Sequence, residues 1–180
     1  MPEILQLCRK LEAPAEQLTP DDCYVRTFRG RADIPIWLDL RHRAFARARV
    51  GVRQWDEADF EQEFLSKPWW RDEHLWFVEH HSSLIGTVAL AQRAEGAKAK
   101  AVVHWLAVLP VWRRHGIGRA LMHVLESRAW ELGYREVWLE THAAWTEAVQ
   151  FYRRLGYAEV VTQCAPPLDE VGSVSQTATA

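Results

Sequence analysis

A chain of 180 residues, 48% hydrophobic and 26% charged, is long enough to close one core, since a domain of about 150 residues buries roughly 70% of the surface its unfolded chain exposes. A net charge of −2 and a pI near 6.4 supply no basic field for nucleic acid, and no run approaches the ~18 apolar residues of a membrane span. Cys8, Cys23 and Cys164 are scattered without a CxxC pair, which points away from a disulfide framework or metal site and towards a reducing cytoplasmic setting.

Residues 1–22 read as an N-terminal extension. Ile4, Leu7, Cys8 and Leu11 have helical spacing, which leaves open a short docking helix or a frayed extension; Gln6 and Arg9 make the stretch too polar for a signal peptide. The main domain is expected over 23–164. Tyr24 to Phe28 predicts a strand, and Asp33 can cap a helix carrying Ile36, Leu40 and Phe45 on one side. Asp56 to Leu65 predicts a second helix, interrupted by Pro68-Trp69-Trp70.

Leu75 to Val78 and Leu84 to Leu90 then read as antiparallel strands around a turn at His80 to Ser83. Val102 to Leu109 is the most apolar strand, ended by Pro110. Gly116 opens a helix with Ile117, Leu121, Val124, Leu125, Ala129 and Leu132 on its buried stripe, and Gly133 stops it. A strand at Val137 to Leu139, a helix from about Thr146 to Leu155 and a strand at Tyr157 to Val161 complete the order β-α-α-β-β-β-α-β-α-β. This is an α/β (α+β) mixed sheet with helices on both faces. Residues 165–180 have little to bury and predict a mobile tail.

One turn carries the chemistry. Strand Val103-His104-Trp105-Leu106-Ala107-Val108-Leu109 runs through Pro110 into Arg113-Arg114-His115-Gly116-Ile117-Gly118-Arg119 and a helix N-terminus. The first amides of a helix lack internal partners and sit at the positive end of its dipole. Gly116 and Gly118 let a ligand approach the backbone, so the turn suits a pyrophosphate. Leu121 stands where a dinucleotide fingerprint needs its third Gly or Ala. Arg119-Ala120 replaces the Lys-Ser/Thr of a Walker loop.

Arg113-x-x-Gly116-x-Gly118 after such a strand resembles the acetyl-CoA motif of the GNAT superfamily of N-acetyltransferases. Ala148-Val149-Gln150-Phe151-Tyr152-Arg153-Arg154-Leu155-Gly156-Tyr157 resembles its second motif, which ends in Tyr-x-x-x-Gly-Phe/Tyr. The resemblance implies direct acetyl transfer from acetyl-CoA to the amine of a small molecule or peptide, without a metal. It places the pantetheine arm and thioester oxygen on backbone of Leu106, Ala107 and Val108, and the pyrophosphate on amides from Arg114 to Arg119.

Tyr152 is then the candidate general acid, because a phenol with pKa about 10 can protonate a thiolate of pKa about 8.5. His104 is the candidate base, on a strand whose residues 104, 106 and 108 are expected to share one face. Glu79, Glu140 and His142 are lesser candidates. The family usually has Asn seven residues before the motif Tyr; Trp145 stands there and is carried as a weak cofactor contact with Ala148.

The acceptor site is expected between the first two helices, from Trp37, Trp55, Trp69 and Trp70 with the acidic run Asp56, Glu57, Asp59, Glu61 and Glu63. Aromatics with carboxylates suit a cationic amine, although such a run is more often a solvated helix face. The tract around Arg43-Ala44-Phe45 and Pro68-Trp69-Trp70 is similar to the acetyltransferase half of mycothiol synthase, over too few residues to name a substrate. A homodimer stays open, as do two other functions: a non-catalytic acyl-CoA sensor and a nucleotide-binding regulator.

Overall fold

The computed structural model describes residues 3–16, 18–46, 52–96 and 98–160. Among these described residues seven strands form: β1 (Ile4–Lys10), β2 (Cys23–Thr27), β3 (Leu75–His80), β4 (Ser83–Glu95), β5 (Lys98–Val108), β6 (Glu136–His142) and β7 (Ala158–Glu159). The helices are α1 (Asp33–Phe45), α2 (Glu57–Phe60, continued as a π-turn over Glu61–Leu65), α3 (Ile117–Glu131) and α4 (Thr146–Arg154). From β2 onward this is the order the sequence predicts. The strands join in one mixed sheet, β2-β3-β4-β5-β6-β1-β7, in which only β5 and β6 pair in parallel.

The N-terminal segment departs from expectation. Instead of a docking helix, Ile4–Lys10 lies between β6 and β7 and bonds to both. Its register with β6 runs from Ile4↔His142 to Lys10↔Glu136, and Leu7 is fully buried. So short a helix is marginal by itself, and two open strand edges offer its backbone more partners. The predicted tail over 165–180 lies outside the described residues.

Smaller predictions resolve by the same logic. Asp33 does not cap α1; it is the first helical residue, and its carboxylate accepts from Arg29 N (2.7 Å) and from Arg26 Nη1 and Nη2 (2.7 and 2.8 Å). Asp56 does cap α2, accepting from Asp59 N while Asp59 accepts from Asp56 N, both at 3.0 Å. His81 and Ser82 turn β3 into β4 with φ of 44° and 63°.

Two β-bulges shape the sheet. One lies between β3 and β4 at Val78/Glu79. The other inserts an extra residue into β5: Thr87 faces Ala107 but Ala89 faces His104. Trp105, with φ of 50°, absorbs the insertion. Alternation therefore restarts there. His104 and Trp105 share the α1 face, while Leu106 and Val108 turn to the α3 face, so 104, 106 and 108 do not share one side as simple alternation predicts.

Helix α3 presses onto the opposite face at Gly86, the partner of Val108. A Cβ at Gly86 would lie 2.9 Å from Ile117 Cγ2, 3.1 Å from Leu121 Cδ1 and 3.3 Å from Ala107 O. The missing side chain sets how closely the first turn of α3 approaches the strand end. Gly86→Val should cost about 1–3 kcal/mol by overpacking, read as a lower Tm and urea midpoint. An unchanged midpoint would show that α3 does not depend on this contact.

Candidate active site

Strands β5 and β6 pair only at Ala101↔Val137 and Val102↔Trp138. Beyond that point β5 continues to Val108 and β6 to His142, each backed on its outer side by β4 or β1. Past Val102 the facing edges of β5 and β6 are no longer paired with each other, and peptide groups outside a ladder need other partners. Leu106, Ala107 and Val108, the residues assigned to the pantetheine arm, lie on this stretch of β5 and are essentially buried.

The same strand leads through Pro110–Trp112 into the turn before α3. Arg114 (φ 66°) and Gly116 (φ 83°) are both left-handed; for Gly116, the N-cap of α3, that conformation carries no Cβ penalty. The helical ladder starts with Ala120 N–H donating to Gly116 O at 2.9 Å, so the amides of Ile117, Gly118 and Arg119 stand ahead of it. Gly118 is buried, while Arg114, His115 and Arg119 are exposed beside those amides. The donor set fits a pyrophosphate. Arg113 is different: its half-buried guanidinium donates from Nη2 to Ala44 O at 2.9 Å, fastening the turn to the end of α1.

Tyr152 is fully buried on α4, with its ring 5.3 Å from Phe151 and 5.8 Å from Tyr157. Trp145 is the buried N-cap of α4, 6.1 Å from Phe45 and 5.0 Å from His142, and Ala148 is buried one turn on. Trp145 thus closes the gap between α4 and α1. His142 is buried, and burial pulls its pKa down.

His104 is also buried. Its Nε2 lies 2.9 Å from Glu63 Oε1, and its ring is 5.3 Å from Phe64 and 5.4 Å from Trp69. Burial lowers its pKa, Glu63 raises it through a hydrogen bond and its charge, and Arg93 and Lys67 lower it further; the net shift is downward. Neutral imidazole is therefore the resting form. The pairing was illegible in sequence, because the π-turn over Glu61–Leu65 buries Glu63 beside Phe64 while Gln62 stays exposed. The rest of the acidic run is a solvated or paired face: Asp56 and Glu57 are exposed, Asp59 holds Arg53, and Glu61 holds Arg31.

Trp37, Trp55 and Trp105 join in one aromatic cluster, as Trp69 and Trp70 do around Phe64. Glu79 is removed from the site, bonded to Arg26 Nε at 2.9 Å near the far edge of the sheet. Glu140 takes bonds from Gln6 Nε2 (3.2 Å) and Arg93 Nη1 (3.4 Å). Among the described residues no group of three or more His, Cys, Asp or Glu is placed to hold a metal, and no helix is long and apolar enough to cross a membrane.

The acetyltransferase (GNAT) family model matches residues 37–157. The chain belongs to that family. Among curated relatives, the mycothiol acetyltransferase of Geodermatophilus obscurus is 31% identical over 160 residues, 86% of this chain and 51% of the relative. That of Thermobispora bispora is 33% identical over 148 residues, covering 80% and 49%. The chain spans about half the length of the curated relatives it matches.

Solved structures share the fold at lower identity. A GCN5-related N-acetyltransferase from Sphaerobacter thermophilus gives a TM-score of 0.67 at 24% identity, covering 87% of this chain and 48% of that one. AAC(6')-Iy, solved with the bisubstrate analogue CoA-S-monomethyl-acetylneamine, gives 0.60 at 17%, covering 82% and 98%. The ribosomal-protein-S18-alanine N-acetyltransferase of Escherichia coli gives 0.60 at 21%, covering 77% and 79%. The GNAT fold is thus common to acetyltransferases with unlike acceptors.

The sign of the His104 shift yields a test. Its folded pKa lies below the ordinary imidazole value near 6.5, so stability falls as pH drops through that value towards the folded one. Glu63→Gln removes the influence that raises the pKa and should move the imidazole titration lower still. Proton NMR of the His104 ring reads both shifts; a native His104 titrating at or above about 6.5 would contradict the assignment.

Proposed function

We propose that the protein is an N-acetyltransferase that passes the acetyl group of acetyl-CoA directly to an amine of a small molecule or peptide, in the cytoplasm. The observation that carries this reading is the end of the β5–β6 pairing at Val102, which leaves the last residues of β5 unpaired with β6 just before the chain turns into the N-terminus of α3. Bound there, acetyl-CoA supplies an activated acyl group on a thiol leaving group. The pyrophosphate is assigned to the amides around Gly116 and Gly118, with Arg114, His115 and Arg119 at the rim. The pantetheine arm is assigned to the peptide groups of Leu106, Ala107 and Val108, with Trp145 and Ala148 closing the α4 side. The relatives named mycothiol acetyltransferase favour a small polar amine as acceptor.

His104 is the proposed base. An amine arrives largely as its ammonium at neutral pH, and a neutral imidazole takes the proton at Nε2 or through one water. Glu63 orients the ring and stabilises the imidazolium that forms, as a carboxylate does behind a catalytic histidine. Trp69 and Phe64 keep the pair dry, which strengthens that interaction. Tyr152 Oη is the proposed proton source for the departing sulfur. A phenol of pKa about 10 remains protonated at neutral pH, so Tyr152 can give its proton to the CoA thiolate as the C–S bond breaks.

Tyr152→Phe removes one hydroxyl and leaves the ring packing in place. It should lower kcat by about a hundredfold or more with unchanged acetyl-CoA affinity, measured by thiol release and by calorimetric titration with CoA. Unchanged turnover would remove Tyr152 as the acid. Failure to bind CoA at all in the native chain would remove the whole reading.

A further inference from the structure

Helix α1 carries Trp37, Arg41 and Phe45 at four-residue spacing, one stripe aimed at the bulge of β5. Arg41 is the anomaly in that stripe. It is 2% exposed, and the salt bridges among the described residues give it no carboxylate. Nη1 donates to Arg53 O at 2.9 Å; Nε has no partner among the described residues. The guanidinium carbon lies 4.2 Å from the ring centre of Trp55 and 4.6 Å from that of Trp105. The nearby acids are engaged: Asp59 by Arg53 at 2.9 and 2.6 Å, Glu63 by His104 at 2.9 Å. Burial, helped by Arg53, pulls the Arg41 pKa down to about 10, so the cation survives at neutral pH.

A buried cation without a counter-charge is costly. Its neighbours deepen the imbalance. Nε1 of Trp37, Trp105 and Trp145 and Nε of Arg113 are also buried without partners among the described residues. Phe45 links Trp105 (5.9 Å) to Trp145 (6.1 Å), and Arg113 reaches Ala44, so these atoms surround the C-terminal half of α1. All are donors. Buried donors in native proteins find acceptors, and a ligand rich in oxygen would supply them.

We propose that the acceptor amine carries a carboxylate, and that Arg41 binds it through Nε and its remaining N–H groups, with the indole N–H of Trp37 and Trp105 beside it. Guanidinium suits a planar two-oxygen partner. The geometry also gives the acceptor a direction. Trp105 stands between the two ends, its ring 6.2 Å from that of His104 and 4.6 Å from the Arg41 guanidinium. An amino acid or short peptide laid across Trp105 presents its amine to His104 and its carboxylate to Arg41. The inference rests on acetyl transfer being the reaction.

The test is a panel of unbranched ω-amino acids from glycine to 6-aminohexanoate, each paired with its carboxamide. The 180-residue chain is assayed by thiol release from acetyl-CoA and by tryptophan fluorescence with CoA present. At least one carboxylate should exceed its amide by tenfold or more in kcat/KM and quench the indoles saturably. Arg41→Met should erase that preference, costing the acid at least tenfold more in kcat/KM than its amide, and Arg41→Lys should keep part of it. Equal use of acids and amides by the native protein would overturn the proposal, as would an Arg41→Met loss equal for both. Saturable, Arg41-dependent quenching by the acids with no thiol release would leave the anion site standing and reject acetyl transfer instead. No saturable quenching and no preference would reject the site.

Discussion

A single extra residue in β5 organises this molecule. The bulge at Trp105 breaks the strand's alternation, so His104 and Trp105 point to one face and Leu106 to the other. Two further consequences coincide with it. The parallel pairing with β6 ends three residues earlier, at Val102, leaving the peptide groups of the strand's last turns outside that ladder. The strand also ends opposite Gly86, where Ile117 and Leu121 of α3 leave no room for a Cβ. The backbone proposed to bind the pantetheine arm, the candidate base and the helix proposed to face the pyrophosphate are therefore placed by one stretch of chain. Bulges commonly re-aim side chains near active sites for this reason.

The two faces of the sheet divide the work. On the α3 face the contacts are apolar and close, with Ile117 and Leu121 seated over Gly86. On the α1 face the sheet meets a polar and aromatic layer: the His104–Glu63 pair, Arg41 among indoles, and Trp37 against Phe60 and Phe64. A closely packed apolar face holds the helix whose N-terminus is proposed to face the pyrophosphate. The opposite face keeps its buried charges and donors where a reacting amine would lie. Burial lowers the pKa of His104 and Arg41 alike, yet with opposite outcomes. The imidazole is kept neutral, whereas the guanidinium starts high enough to remain a cation.

Much of this was legible in the residues. Gly116 as a helix start, Pro110 as a strand end and the order of elements after Tyr24 follow from local rules of backbone and periodicity, and those rules act over a few residues. What escaped depends on distant partners. Ile4–Lys10 has an apolar spacing that suits a helix, but β6 and β7 supply two edges that only the folded sheet possesses. The bulge needs the register of two strands, and Glu63 turns inward because five residues of α2 adopt a π-turn. Arg41 could have been suspected, since it stands four residues from both Trp37 and Phe45 on a stripe otherwise apolar.

The Trp145 position shows how such departures are accommodated. A residue here that offered both a donor and an acceptor could bond a ligand directly and remain partly wet. An indole has one donor and a large apolar body, so Trp145 must be buried, and it is, between Phe45 and His142. That burial ties the start of α4 to the end of α1, the helix that Arg113 also grips through Ala44. Helix α1 is consequently held from both the phosphate turn and the α4 cap. A side chain on its last turns, Arg41 above all, has little room to leave its place among Trp55 and Trp105. The residues proposed to hold the acceptor and those proposed to hold the cofactor are thereby joined through α1.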